Sequence, residues 1–322
     1  MHRIKLSRGQ FLKMMASSLA LLPFAGNFLG RAEAADSKEA GFNGRPNSGI
    51  KGDYDLVIAK GEDPYNITVK AVESMGGMGR FVKKGATVLI KPNIGWDRTP
   101  EQAGNTNPRV VAALADMAYR AGAKRVNVFD ITCNDARRCY ANSGIEAAAA
   151  AAGARAYIPD DWDVVKAHFG LRGAASPMED WPILREAVEC DTFINVPVLK
   201  HHALTRLTLS MKNLMGVCGG NRGLMHFNIG PKLVDLTRFI NPDLTVIDAY
   251  RVLTRNGPSG GSLDDVKTLK TVIAATDPTL ADAYAARLAD VDPMAVPYIK
   301  TAVKEKFGSA DIEAAKSITI DA

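Results

Sequence analysis

The stretch Gly85–Asp130, GATVLIKPNIGWDRTPEQAGNTNPRVVAALADMAYRAGAKRVNVFD, decides the fold class. Its opening, GATVLIKP (Gly85–Pro92), is a short continuous apolar run, the pattern of a strand covered on both faces. Asn107-Pro108 then starts a helix with proline in its first turn, and Val110, Leu114, Met117 and Ala121 recur along one face. Gly122 ends that helix, and RVNVFD (Arg125–Asp130) reads as the next strand. Strand, helix and strand at this length form the crossover unit of a parallel sheet.

The alternation continues outward on both sides. Upstream, DLVIAK (Asp55–Lys60) reads as a strand and Pro64–Met75 as a helix. Downstream, Glu146–Ala152 is an alanine-rich helix ended by Gly153, and DTFINVPVL (Asp191–Leu199) is an apolar, β-branched strand. Lys232–Ile240 has helical spacing and stops at Asn241-Pro242. LTVIDA (Leu244–Ala249) and KTVIAAT (Lys270–Thr276) are strands, and Pro278–Ala289 and Pro293–Phe307 are closing helices. Arg155–Pro182 is less regular and reads as an insertion forming one wall of a cleft. The expectation is an α/β fold: a mostly parallel sheet with helices on both faces.

Chemistry concentrates in Asn195–Gly230, NVPVLKHHALTRLTLSMKNLMGVCGGNRGLMHFNIG. After the strand, Ala203–Met215 has helical spacing, with Leu204, Leu207, Met211 and Leu214 as an apolar stripe. His201, Thr205, Thr208 and Lys212 form a polar stripe beside it, as on a helix at a cleft's edge. Gly216, Gly219, Gly220 and Gly223 then make a loop able to approach an anion closely. Open α/β sheets bind ligands at the C-terminal ends of their strands. Lys91-Pro92-Asn93, Asp130, Lys200, His202 and Asp248 all follow strands. An aspartate there caps a following helix as readily as it builds a site. Lys91, beside a buried strand, needs a partner or an anion. The candidate catalytic residues are His202, Lys212 and His226. The candidate ligand- or cofactor-binding residues are Lys91, Asn93, Lys200, Asn213, Gly219, Gly220 and Arg222. Two imidazoles plus a carboxylate would suit a metal, but no H-x-x-x-H or H-E-x-x-H spacing occurs. The sequence has no dinucleotide, Walker, nucleophile-elbow or kinase motif, which sets aside nucleotide binding and serine hydrolysis.

The N-terminus reads as a targeting segment. Arg3, Lys5, Arg8 and Lys13 precede an apolar stretch, and Ala32-Glu33-Ala34 is an A-x-A cleavage pattern, placing the cut before Ala35. Ser7–Lys13, SRGQFLK, is similar to the twin-arginine export signal with Gly9 at the second arginine, so the general secretory route stays open. Residues 1–34 are thus an export signal, 35–52 a flexible leader, and 53–322 the α/β domain of an exported, periplasmic protein. It would meet a translocase and the membrane only during export. Residues 1–34 hold five Lys/Arg and one acidic residue. The remainder therefore carries 35 basic and 34 acidic residues, and net charge falls from +5 to +1. That balance gives no reason to expect a nucleic-acid partner. Cys133, Cys139, Cys190 and Cys218 form no C-x-x-C pair, so no iron–sulfur cluster is expected. Cys133 and Cys139 are close enough in sequence to bridge, or all four stay thiols.

These residues resemble the DUF362 family over roughly residues 54–320. Lys91-Pro92-Asn93 is similar to its K-P-N, and Asn107–Val111 to its N-P-x-x-V helix opening. Lys200, His202, Thr205, Thr208, Lys212, Asn213 and Gly216 are similar to its K-T-H-x-x-T-x-x-T…K-N-x-x-G, with His201 where the family has Thr. The glycine loop ending in Arg222 and His226, and Asp277–Leu288, match as well. Many relatives add a ferredoxin-like module with eight cysteines, which this chain lacks. The His202, Lys212, His226 order also resembles the cofactor site of nickel-pincer lactate racemase. The resemblance implies a bound metal or metal-containing cofactor. The leading expectation is an enzyme acting on a small anionic molecule. The alternative is a non-catalytic periplasmic ligand-binding or maturation protein using the same cleft.

Overall fold

The computed structural model describes residues 44–46, 48–160, 162–169, 178 and 180–322. The export segment and part of the leader read from the sequence lie outside them. In chain order the described strands are β1 (Leu56–Lys60), β2 (Thr87–Pro92), β3 (Arg125–Val128), β4 (Arg155–Ala156), β5 (Val164–His168), β6 (Asp180–Leu184), β7 (Thr192–Val196), β8 (Val198–His202), β9 (Arg206–Thr208), β10 (Leu244–Leu253), β11 (Val266–Ala275) and β12 (Ser317–Asp321).

The main sheet runs β12-β1-β11-β10-β7-β2-β3-β4, with β8 paired to β10 and β9, and β5–β6 a separate ribbon. β11 runs against β1 and β10, β9 runs against β8, and the other pairs of the large sheet are parallel. The Gly85–Asp130 crossover forms as its sequence dictates. The side chain of Asn107 accepts from the Arg109 N–H, Pro108 opens the helix Pro108–Arg120, and Gly122 turns the chain away at φ +99°. β3 is thereby laid parallel to β2, with Thr87 opposite Arg125.

Strand alternation divides the core in two. Leu56, Ile58, Leu89 and Phe193 pack with the helices Ile229–Ile240, Pro278–Leu288 and Pro297–Lys304. Val57, Ala59, Val88 and Ile90 pack with Pro64–Ser74, Pro108–Arg120 and Ile145–Ala151. The sheet is therefore mostly parallel with helices on both faces. Among the described residues no helix is long and apolar enough to cross a membrane.

Several expectations need correcting. Ala203–Met215 is not one helix. The chain doubles back, pairing Lys200 with Thr208, His201 with Leu207 and His202 with Arg206. Pairing of β8 with β10, β-branched Thr205 and Thr208, and a left-handed Arg206 at φ +66° override the helical spacing. Leu204, which the helical reading faces inward, is 71% exposed at the turn. Only Ser210–Asn213 is α-helical, followed by a 3-10 turn over Leu214–Val217. The described part of Arg155–Pro182 does not line the cavity below but backs the glycine loop, Trp181 Nε1 donating to the Gly219 carbonyl (2.9 Å). β12 has no counterpart in the sequence reading. Within the supposed leader, Arg45 is buried, its guanidinium 2.9 Å from Asp243 and donating to the carbonyls of Ile240, Asn241, Cys190 and Asp191.

Candidate functional site

The C-terminal ends of β2, β3, β7 and β8 converge beneath a cavity of about 560 Å³. Its foundation is a buried ion pair. Lys91, last but one in β2, places Nζ 2.6 Å from Asp130 Oδ1 just past β3. The ammonium also donates to the Pro92 carbonyl (2.8 Å) and to Asn213 Oδ1 (3.1 Å). Asp130 Oδ2 accepts from the Ile94 N–H. Burial pulls the Lys91 pKa down and Asp130 pulls it back. Asn213 ties the base together, donating to the Lys91 carbonyl and Asn195 Oδ1 while accepting from Asn93. Gly216 is needed here for want of room: a Cβ on it would lie 1.7 Å from Asp130 Oδ1 and 2.6 Å from Lys91 Nζ.

Three further cations reach the cavity, and none of them has a carboxylate within ion-pair distance among the described residues. Lys200 on β8 is fully buried. Its Nζ donates to Asn93 Oδ1 (2.9 Å) and the Gly104 carbonyl (2.6 Å), beside the Trp96 ring. Burial lowers its pKa to about 7. Lys212, 9% exposed, has among the described residues only the Met215 sulfur (3.6 Å) as a polar partner, and burial lowers its pKa to about 8. Arg222 is aimed by two donated hydrogen bonds, to the carbonyls of Ile131 (2.9 Å) and Thr132 (2.8 Å). The short helix carrying Lys212 is held by Asp282, whose carboxylate accepts from the Ser210 and Met211 N–H groups (2.7 and 3.1 Å). Burial raises the Asp282 pKa to about 7 despite those bonds.

His202 and His226 stack with ring centroids 6.1 Å apart. Their backbone partners fix complementary tautomers. The Leu204 N–H donates to His202 Nδ1 (3.1 Å), so a neutral His202 carries its proton on Nε2. The Gly223 carbonyl accepts from His226 Nδ1 (3.3 Å), so a neutral His226 presents a lone pair at Nε2. Both stay neutral at physiological pH. Burial, then Lys212, pushes His202 to about 2 and lowers His226. One ring is thus a donor and the other an acceptor.

Eight of the ten candidate residues line this cavity: His202, Lys212, His226, Asn93, Lys200, Asn213, Gly220 and Arg222. Lys91 lies beneath it, committed to Asp130. Gly219 is turned to the β5–β6 ribbon, its N–H donating to the Pro182 carbonyl (2.9 Å). Asp248 instead fixes the start of the Pro108–Arg120 helix, accepting from the N–H of its capping residue Asn107 (2.7 Å). Trp96 and Cys133 also line the cavity, and sequence reasoning gave them no part in the site. Thr208, expected on the polar stripe at the cleft's edge, lines it too, but by strand pairing opposite Lys200 rather than by helical spacing. All four cysteines are free thiols. The donor set does not fit a bare divalent cation. Among the described residues no three His, Cys, Asp or Glu side chains group as ligands, and the two imidazoles sit among cations.

A mostly parallel sheet with helices on both faces and a cationic cleft at its strand ends defines an α/β domain. The chain matches the family described as Domain of unknown function (DUF362) over residues 88–287, and it belongs to that family. It is 30% identical over 250 residues to the thylakoid-associated protein sll1697 of Synechocystis sp., covering 74% of this chain and 73% of that protein. Two solved structures are similar in part. The lactate racemase apoprotein from Thermoanaerobacterium thermosaccharolyticum matches at a TM-score of 0.44 and 12% identity, over 69% of this chain and 54% of that one. A protein from Thermotoga maritima matches at 0.36 and 11% identity, over 70% of this chain and 58% of that one. The chain thus spans little more than half the length of either.

Proposed function

We propose that this cavity binds a small organic anion and moves a proton on it. Lys200, Lys212 and Arg222 receive the ligand's negative charge, since no carboxylate among the described residues neutralises their own positive charge. That unmet charge is the observation that carries the reading. A bound carboxylate or phosphate would stabilise the protonated lysines and offset the cost of their burial. His226 Nε2 is the base that accepts a proton from the substrate carbon or oxygen. His202 Nε2–H then donates a hydrogen bond to the oxygen on which charge develops. Asn93 holds Lys200 and is itself held by Asn213, and Asp282 positions Lys212.

Because Lys200 and Lys212 titrate near 7 and 8, anion binding near pH 8 should draw protons from solvent. Calorimetry of a panel of small carboxylates and phosphates in buffers of different ionisation enthalpy reads that uptake. Hydrogen–deuterium exchange at carbon in bound ligands, followed by NMR in D₂O, reads the proton transfer. His226→Gln should abolish exchange while binding persists. If no anion binds in a Lys212-dependent way, the reading fails; binding with no exchange or turnover would leave a ligand carrier. Export is proposed with it, by the twin-arginine route. Accumulation in the periplasm should stop in a strain lacking that translocase, and continued export there would refute the route.

A further inference from the structure

The cationic cavity contains a thiol that the proton-transfer reading leaves unused. Cys133 is exposed where the other three cysteines are buried, and it lines the cavity together with Lys200, Lys212 and Arg222. Its loop is fixed on both sides. The Cys133 N–H donates to the Gly95 carbonyl (2.8 Å), and Arg222 clasps the carbonyls of Ile131 and Thr132 just before it. The sulfur also stands close to the site's uncompensated charge. Burial lowers the pKa of Lys200 and Lys212, and the next strongest influence on both is Cys133, which raises them. Lys212 is an independent sign of a ligand here. It is 9% exposed, lines the same cavity and has only the Met215 sulfur as a polar partner among the described residues. A second cavity, about 470 Å³, lies beside the β8–β9 arm; His201, Arg206, Leu207 and Thr254 are among its walls and no cysteine is.

We infer that Cys133 is a nucleophile of this site, placed to add its sulfur to an anion that carries an electrophilic carbon, such as the carbonyl carbon of an α-oxo acid. This rests on the anion reading above and names its substrate class. Lys212 and Arg222 hold the carboxylate, and the carbon next to it meets the sulfur. In the addition the S–C bond forms and the C=O π pair passes to the oxygen. The thiol proton ends on that oxygen by way of His226 Nε2. The product is a hemithioketal, so nothing is oxidised or reduced and no co-reactant is consumed.

The test uses the full protein and two alkylating probes, iodoacetate and iodoacetamide, with free cysteine as reference. Both probes lose iodide as the S–C bond forms and both react with the same thiolate. Their rate ratio therefore reads the charge around the sulfur and not its ionisation. Relative to free cysteine, the ratio at Cys133, located by peptide mass spectrometry, should favour iodoacetate by about tenfold or more. It should fall back several-fold in Lys212→Met. Pyruvate isotopically labelled at its carbonyl carbon tests the addition itself. NMR should show that carbon become tetrahedral in a bound form, and Cys133→Ser should lose the signal while still binding propionate by calorimetry. A ratio equal to that of free cysteine, a ratio unmoved in Lys212→Met, or a pyruvate carbon indifferent to Cys133→Ser would each overturn the nucleophile. Lys212-dependent binding of propionate in the same samples would then keep the anion reading. Failure of both propionate and pyruvate to bind in a Lys212-dependent way would overturn both.

Discussion

Two buried lysines of one site, Lys91 and Lys200, stand on opposite sides of an energetic divide. Both are fully buried, both on strands under the cavity, and both pulled down in pKa by burial. Lys91 has Asp130 at 2.6 Å, while Lys200 has only an amide oxygen and a carbonyl. The first lysine is internally compensated and holds strands together. The second, like Lys212 beside it, is stabilised only partly by neutral dipoles. A buried charge left in that condition makes sense where a ligand supplies the missing half.

The comparison is broken most severely at its compensated side. Asp130→Asn leaves Lys91 buried without its counter-charge and should cost about 3–5 kcal/mol, read by chemical unfolding. Gly216→Ala should cost a similar amount, since its Cβ would overlap Asp130 and force the pair apart. A loss under about 1 kcal/mol in both would mean that the pair is not the foundation described. On the uncompensated side the sign reverses. Lys212→Met should leave stability unchanged or raise it, yet weaken carboxylate binding by about 10- to 100-fold, the worth of one charge-assisted hydrogen bond. Loss of both stability and affinity would place Lys212 with Lys91.

pH sharpens the contrast further. Lys200 and Lys212 have folded pKa values near 7 and 8, below the ordinary 10.5. Between those values the unfolded chain binds more protons, so their penalty is full below about 7 and is relieved toward 10.5. The free protein's stability share from these groups should therefore rise with pH across that window. Anion affinity should fall over the same range, by up to about tenfold per pH unit. Denaturation and calorimetry at pH 6.5 and 9 compare the two trends; parallel trends would contradict the assignment. The smallest effect concerns His202. Its folded pKa of about 2 lies under the ordinary 6.5, so it contributes to the loss of stability as pH falls between them. His202→Gln should make that acid limb shallower, by about 1 kcal/mol or more at pH 4, with little change at pH 7. An unchanged acid limb would mean that the ring is free to charge.

Much of this was legible in the sequence. The apolar run at Val88–Ile90 and the strand at Arg125–Val128, joined by a capped helix, leave few options but a parallel sheet. The site's residue types were legible too, because cations and imidazoles gather where strands end. What misled was Leu204–Leu214, whose leucine spacing suits a helix as well as it suits an arm turned by Arg206. Strand pairing with β10 is a long-range fact that local spacing does not carry. The ion pair was half legible: Lys91 declared its need for a partner, but nothing local connects residue 91 to residue 130. β12 escaped because its alternating, half-exposed residues form an edge strand without a continuous apolar run.

The two-residue rhythm of the β8–β9 arm sets different rules for substitution and for length. Lys200 and Thr208 serve the first cavity, His201 and Leu207 the second, so point changes can retune one chamber while the other is untouched. A single residue inserted between Pro197 and Lys200 would instead exchange the two sets, sending a lysine toward the second chamber and an apolar residue toward the cationic one. Descent with modification should therefore find this arm permissive in composition and strict in length, with insertions and deletions accepted only in pairs.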